Sequence, residues 1–212
     1  MFTGIISHRG TLKSTRTLSA GKELSIDSDN DFIQNVHAGD SIAINGVCLT
    51  VTEIRSTLFT VFASSETCLK STICHLNSNC QVNMEKALPA NGRFNGHFVQ
   101  GHIDCTGSIL ACEKQDMVMK LTISYPIEYS MYMVNKGSVA VDGVSVTCTE
   151  VIKDTFSVYL IPETQKRTVF QFSRIGDSVN LEFDILAKYI YAQKNTTLQS
   201  SLSVEKLKKW GY

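Results

Sequence analysis

Ser41-Ile42-Ala43-Ile44-Asn45-Gly46-Val47-Cys48-Leu49-Thr50-Val51-Thr52-Glu53-Ile54 is answered 97 residues later by Ser138-Val139-Ala140-Val141-Asp142-Gly143-Val144-Ser145-Val146-Thr147-Cys148-Thr149-Glu150-Val151. Seven of these fourteen positions are identical. The same offset of 97 sets Gly4 on Gly101, Gly10 on Gly107, Glu66-Thr67 on Glu163-Thr164, and Val82-Asn83-Met84-Glu85 on Val179-Asn180-Leu181-Glu182. One offset across separated patches marks an internal duplication. The chain therefore divides into units of residues 1–97 and 98–185 and a tail of 186–212, with Pro89-Ala90-Asn91-Gly92-Arg93-Phe94-Asn95-Gly96 as the connector.

Within each copy, short runs of Val, Ile, Thr and Phe are broken by Gly, Asn or Asp, the pattern of strands joined by tight turns. Asn45-Gly46 and Asp142-Gly143 are hairpin signals, because both residue types tolerate the positive φ that such turns need. About six short strands in fewer than a hundred residues favour a closed barrel, which removes exposed edges. The expected fold is all-β: two homologous six-stranded Greek-key barrels in tandem, followed by a C-terminal helix. In the tail, Ile185, Leu186, Tyr189, Ile190 and Ala192, then Leu198, Leu202, Val204 and Leu207, recur at near-helical spacing. That predicts a helix to about residue 209 with an interruption near Asn195-Thr196-Thr197. It has no counterpart after the first copy, and self-association is its expected use.

Twenty basic residues balance twenty acidic ones, so no net field draws the chain to nucleic acid or to an anionic membrane. A small-molecule partner is the better expectation. Met1-Phe2-Thr3-Gly4-Ile5-Ile6 lacks the basic flank and apolar run of a targeting segment, and nothing later approaches the roughly 20 apolar residues of a membrane span. The expected location is the cytoplasm. The seven cysteines, Cys48, Cys68, Cys74, Cys80, Cys105, Cys112 and Cys148, include no Cys-x-x-Cys pair and fit no usual zinc spacing. They read as free thiols, mostly packed as small apolar side chains.

The opening Met1-Phe2-Thr3-Gly4-Ile5, Asn45-Gly46-Val47-Cys48-Leu49-Thr50-Val51, Gly96-His97 with Gly101-His102, Lys136-Gly137-Ser138 with Asp142-Gly143-Val144-Ser145, and Val179-Asn180-Leu181-Glu182 resemble riboflavin synthases of the α-chain type. The resemblance runs from residue 1 to about 190. Gln100, Asn95 and Cys148 depart from it, standing where a small Ser, a second Gly and an aliphatic residue are usual. It implies dismutation of two 6,7-dimethyl-8-ribityllumazine molecules: one gives a four-carbon unit to the other, yielding riboflavin and 5-amino-6-(D-ribitylamino)uracil. Neither redox cofactor nor metal is implied. It also implies a homotrimer whose active sites lie between the first barrel of one subunit and the second barrel of a neighbour. Holding two flat rings face to face replaces several kcal/mol of association entropy.

Carried onto this sequence, the resemblance nominates as substrate-binding Gly4, Ile5, Ile6, Cys48, Leu49, Thr50, Phe62, Ala63, Ser64, Ser65, Glu66 and Thr67 in the first half. In the second half it nominates Gly101, His102, Ile103, Lys136, Ser145, Val146, Thr147, Tyr159, Leu160, Ile161, Pro162, Glu163 and Thr164. Strand-edge amides suit a uracil-like ring edge, and the hydroxyls and carboxylates suit a ribityl chain. Departures from internal symmetry point to chemistry, because donor and acceptor rings need different treatment: Cys48 faces Ser145, Gly39 faces Lys136, and Ile5 faces His102. A Ser or Cys in a strand is ordinarily packing; the resemblance at these positions argues for more. His102 is a candidate acid/base, with an unperturbed pKa near 6.5. Cys48, with Ser41 near it, is a candidate nucleophile, and Ser145 and Thr147 are candidates to orient the reacting methyl. Lys136 is expected to stabilise carbonyl charge and Phe2 to stack on a ring. His8, His37 and His75 match no site motif, and His97 reads as structural.

Two rivals remain at this level. Lumazine and yellow fluorescent proteins are similar, hold a lumazine or flavin, and do no catalysis; they tend to lose the reactive set that is present here. A third reading, a small barrel pair that binds oligonucleotides or proteins, lacks a basic aromatic face in this sequence.

Overall fold

The computed structural model describes residues 1–199, with side chains through Lys194. In the first half β1 (His8–Leu18), β2 (Gly21–Asp27), β3 (Ser41–Ile44), β4 (Val47–Arg55), β5 (Leu58–Ser64) and β6 (Gln81–Lys86) close a barrel in the order β1-β2-β5-β4-β3-β6. Short helices α1 (Asn30–Ile33) and α2 (Ser65–Lys70) sit in its connections. Strand alternation sends Leu49, Val51, Val61 and Ala63 inward and turns Cys48, Thr50 and Phe62 outward. The turn at Asn45-Gly46 takes φ of 44° and 79°, a conformation in which a side chain on the second residue is costly.

The second half repeats this frame. It contains β7 (Cys105–Gln115), β8 (Val118–Ser124), β9 (Ser138–Val141), β10 (Val144–Thr147), β11 (Thr149–Ile152), β12 (Thr155–Leu160) and β13 (Ser178–Phe183), with α3 (Pro162–Arg167) after β12. Its sheet runs β10-β9-β13-β7-β8-β12-β11. The two end strands are the two pieces of the counterpart of β4, parted at Cys148, so the expected second closed barrel has the first barrel's strand order but a break. The physical reason lies in Glu150, which adopts a φ of 50° that its counterpart Glu53 does not share. A left-handed residue there turns the strand out of register.

The halves are locked together about a pseudo-twofold axis. Asn83 Nδ2 donates to the Asp142 carbonyl at 3.0 Å, and Asn180 Nδ2 donates to the Asn45 carbonyl at 2.8 Å. Val169 N–H reaches Asn83 Oδ1 as Thr72 N–H reaches Asn180 Oδ1. A Cβ built on Gly46 would lie 2.6 Å from the Gly143 nitrogen, so the paired hairpin turns touch through bare backbone. Phe2, fully buried, pairs its backbone with Val99 and packs with Ala43 and Ala140.

Helix α4 (Ile185–Gln199) docks on the second half through Lys188 and Asp104, 2.6 Å apart, and through the ring contact of Tyr132 with Tyr191. It continues through Asn195-Thr196-Thr197 instead of breaking there. These residues are only weak helix formers, and no Gly or Pro enforces a stop. The expected continuation to residue 209 lies outside the described residues. Among those described, no helix is long and apolar enough to cross a membrane. The expectation of seven free thiols is corrected: Cys68 and Cys74 are disulfide-bonded, leaving Cys48, Cys80, Cys105, Cys112 and Cys148 free. Five intervening residues folded into a helix end and a turn bring their Cα atoms to 5.1 Å, a proximity that spacing alone does not disclose.

Candidate active site

Two clefts sit at corresponding places on the halves. The first, of about 210 Å³, is lined by Val47, Cys48, Glu66, Thr67, Lys70 and Ser71 of the first barrel and by Gly101, His102 and Ile103. The second, of about 400 Å³, is lined by Val144, Ser145, Glu163, Thr164, Arg167 and Thr168 and by Gly4, Ile5, Ile6 and Ser7. Adding 97 to each first-barrel residue gives its second-barrel partner, so the clefts are copies of one design. The first turns, however, are exchanged between the halves. Gly4–Ile6 completes the second cleft and Gly101–Ile103 the first, the reverse of the assignment by sequence half.

Hydrogen bonds fix this exchange. Cys48 N–H donates to the Gly101 carbonyl at 2.9 Å, and Ser145 N–H to the Gly4 carbonyl at 2.8 Å. A Cβ on Gly101 would fall 2.5 Å from the Cys48 Cβ, and one on Gly4 would fall 2.7 Å from the Ser145 Cβ. These glycines are the contact surface itself. Glu85 accepts from the Thr3 and Gly4 amides, and Glu182 from the Gln100, Gly101 and His102 amides. Burial raises the pKa of both carboxyls while those amides oppose the rise. Each turn is thus pinned by a buried carboxyl in its own half while it lies across the cleft of the other. Ile6 is buried in the second barrel's core, and Ile103 packs against the first.

The side chains lining the two clefts differ where the two copies differ in sequence. Cys48 and the exposed His102 share the first; Ser145 stands in the second beside Ile5. His97, read from sequence as structural, has its Nδ1 2.7 Å from Ser145 Oγ. The ring is 7% exposed, and its Nε2 is buried without a partner. Burial lowers its pKa, with Asp184 pulling the other way, so the ring is neutral at neutral pH and holds the serine hydroxyl by a hydrogen bond. Comparing the halves misses this residue, because His97 has no counterpart in the first copy. Lys70, Ser71, Arg167 and Thr168 also line the clefts and lie just beyond the strips that the resemblance nominates.

Other nominated residues are distributed more widely. The side chains of Leu49, Ala63, Val146 and Leu160 point into the barrel cores, so only their backbone is offered to a ligand. Phe2 is buried, with no free ring face, and packs the two halves together; its expected stacking role does not match that placement. Thr50 and Phe62 pair across β4 and β5, with Ser41 opposite Thr50, on the outer face that continues from Cys48. Thr147 and Tyr159 hold the corresponding face beyond Ser145. Ser64 caps α2 by accepting the Thr67 amide, and Ser65, Ile161 and Pro162 begin the two cleft helices. Lys136 is exposed, and its N–H binds the Cys148 carbonyl; it lines neither cleft.

The lumazine binding domain family matches residues 3–87 and again 100–184, one match per half. Riboflavin synthase of Bacillus subtilis strain 168 is 40% identical over 94% of this chain and 95% of its own length. The chain belongs to the riboflavin synthase family. Another member, the riboflavin synthase of Actinobacillus pleuropneumoniae, is 39% identical over 100% of both chains. The crystal structure of LumP complexed with riboflavin superposes with a TM-score of 0.81 at 21% identity, covering 86% of this chain and 99% of that one. At that identity the superposition establishes the fold.

Proposed function

We propose that the chain catalyses the riboflavin synthase reaction, a four-carbon transfer between two molecules of 6,7-dimethyl-8-ribityllumazine. The observation that carries this reading is the pair of clefts with one frame and different reactive groups, Cys48 with His102 in one and Ser145 with His97 in the other. Identical substrates on identical sites have no reason to become donor and acceptor. Here each ring meets its own chemistry.

In this reading the amides at the strand edges hold the pyrimidinedione edge, and Thr67 and Thr164 hold the ribityl chains. His102, exposed on the first cleft, takes the proton released when a 7-methyl group becomes a carbanion. Cys48 is in reach of the same ring as a nucleophile. On the second cleft the neutral His97 leaves the Ser145 hydroxyl polarised, able to donate to a ring nitrogen or to carry an added nucleophile's proton. The four carbons change places with no net oxidation, because what one lumazine loses the other gains.

The two clefts cannot swing together within one chain, since reciprocal Asn83 and Asn180 bonds and the Gly46–Gly143 contact lock the barrels. A neighbouring copy can present its second cleft to the first, which supports a homotrimer with shared sites. The exposed Val134, Leu186, Tyr189 and Ile190 beside α4 are its expected contact. The activity belongs in the cytoplasm, where its small-molecule substrate would be made. The deciding experiment incubates the purified chain with dimethylribityllumazine alone and follows riboflavin by absorbance. Turnover without any added cofactor is expected; tight lumazine binding with no product would mean a binding protein instead.

A further inference from the structure

We propose that Cys68 and Cys74 form a reversible thiol–disulfide exchange site that fastens one wall of the first cleft, with a low-molecular-weight disulfide of the glutathione class as oxidant. The bond ties α2 to the turn at Ile73–His75. Glu66, Thr67, Lys70 and Ser71, on α2 and just beyond it, line the cleft. Whether the bond is made therefore bears on the position of nearly half that wall.

The second half shows that this wall need not be fastened covalently. The positions corresponding to Cys68 and Cys74 are Gln165 and Gln171. Gln165 Nε2 donates to the Leu160 and Met117 carbonyls at 2.7 and 2.9 Å, and Gln171 Nε2 to the Thr168 carbonyl at 3.4 Å. Each glutamine secures its segment separately. The remaining scaffold is shared: Ser71 Oγ donates to the Thr67 carbonyl at 2.6 Å as Thr168 Oγ1 does to the Thr164 carbonyl at 2.7 Å. With the disulfide opened, the first cleft keeps that hydroxyl bond and the Lys22 Nζ bond to the Cys74 carbonyl at 2.6 Å, and in place of the short Gln165 tie it has only a long contact of Cys68 Sγ with the Ala63 carbonyl at 3.9 Å. Its wall becomes the looser of the two.

Proximity to each other and partial exposure set these two sulfurs apart from the buried cysteines. Both are partly exposed, and their Cα atoms lie 5.1 Å apart, within the reach of a disulfide. Cys105 and Cys148 are buried and pushed up to about 12, and burial also raises Cys80. In the oxidising direction one thiolate attacks a sulfur of the small disulfide and expels one thiolate. The second cysteine then attacks that mixed disulfide and expels the other. Two cysteine thiols lose two electrons and two protons, and one disulfide becomes two thiols. Intracellular disulfides are more often exchanged than permanent, so the bond is read as a switch.

The consequence for the ligand rests on the proposed lumazine and flavin binding at this cleft. The test equilibrates the full chain at set ratios of glutathione to its disulfide, then counts thiols in denaturant and titrates riboflavin by fluorescence. The count is expected to move between seven when reducing and five when oxidising, the five being the cysteines outside the bond. If the fastened wall is populated only one time in five once released, affinity for riboflavin falls about fivefold on reduction. Cys68→Ser with Cys74→Ser should bind like the reduced chain and ignore the glutathione ratio. A count fixed at seven overturns the exchange site, and equal affinity in both states overturns its control of the cleft. Should neither state bind a flavin, the ligand reading is what has failed; the switch then stands or falls on trypsin cleavage after Lys70, which must quicken on reduction.

Discussion

Replacing Asp142 by Asn would copy into the second half the residue the first half carries at Asn45. Asp142 Oδ1 accepts the Asn180 amide at 2.8 Å, as Asn45 Oδ1 accepts the Asn83 amide at 2.7 Å. The amide therefore keeps the acceptor and removes only the charge. Asp142 is 6% exposed, and burial pushes its carboxyl from 3.8 up to about 7. Above pH 3.8 the unfolded chain gives up a proton that the native chain retains. Stability then falls as pH rises, levelling off once the native carboxyl ionises near pH 7. At about 1.4 kcal/mol per pH unit, a rise of about three units sets an upper limit near 4 kcal/mol. Backbone relaxation around the ionised group brings the expected gain for Asp142→Asn at pH 7.5 to about 1–3 kcal/mol, or roughly 3–9 °C in Tm for a chain of this size. Near pH 4 both side chains are neutral and the gap should close. Calorimetry and urea unfolding from pH 4 to 8 measure it. A variant no more stable than its parent at pH 7.5, or a gap undiminished at pH 4, would refute the reasoning.

Gly46→Ala should cost about 3 kcal/mol or more, because its Cβ would strike Gly143 in a left-handed turn, whereas Gly39→Ala, with a φ of 97° and open space around it, should cost only about 1–2 kcal/mol; equal losses in urea unfolding would show that the turn contact does not hold the barrels. Mixing Cys48→Ala chains with Ser145→Ala chains should restore turnover after subunit exchange, since one supplies an intact second cleft and the other an intact first. Cys48→Ala with His102→Gln should not, because both strike the first cleft, and rescue of that pair or failure of the other would contradict the shared-site arrangement. Deleting residues 187–212 should yield smaller species by sedimentation that bind riboflavin but turn over little lumazine.

The duplication made most of the architecture legible, since β7 and β8 begin and end 97 residues after β1 and β2. Alternation likewise fixes which side of β4 meets the cleft. What the linear sequence could not carry was contact between the copies. Gly4 and Gly101 read as turn residues of their own halves, yet each packs across the axis on the other half's reactive position. Comparing copies also assumes that every residue bonded to a cleft side chain has a counterpart, and His97, bonded to Ser145, has none. Cys68 and Cys74 met in space through a helix end and a turn whose geometry their spacing does not encode. The break at Cys148 turned on the backbone angle of a single glutamate, a local choice that the shared Thr-Glu motif hides.

The exchanged turns suggest why the frame remained symmetric while the chemistry diverged. Asn83 and Asn180, Glu85 and Glu182, and Gly4 and Gly101 are identical pairs: the asparagines bond across to the other half, and the glutamates hold the glycine turns that lie against it. A change in either would loosen both clefts. Positions 48 and 145, or 5 and 102, face only one cleft each, so a substitution there alters one ring's surroundings and leaves its twin untouched. Arg167 is drawn to Glu163 one turn earlier on α3, and an exposed pair of that kind contributes little to stability. Glu66 and Lys70 hold the corresponding positions on the first cleft, so each rim carries one acid and one base, and the difference between the clefts rests on positions 48 and 145 and on 5 and 102. Symmetry in the scaffold and asymmetry on the reacting surface are thus consequences of one arrangement, in which each copy supplies the cleft of the other.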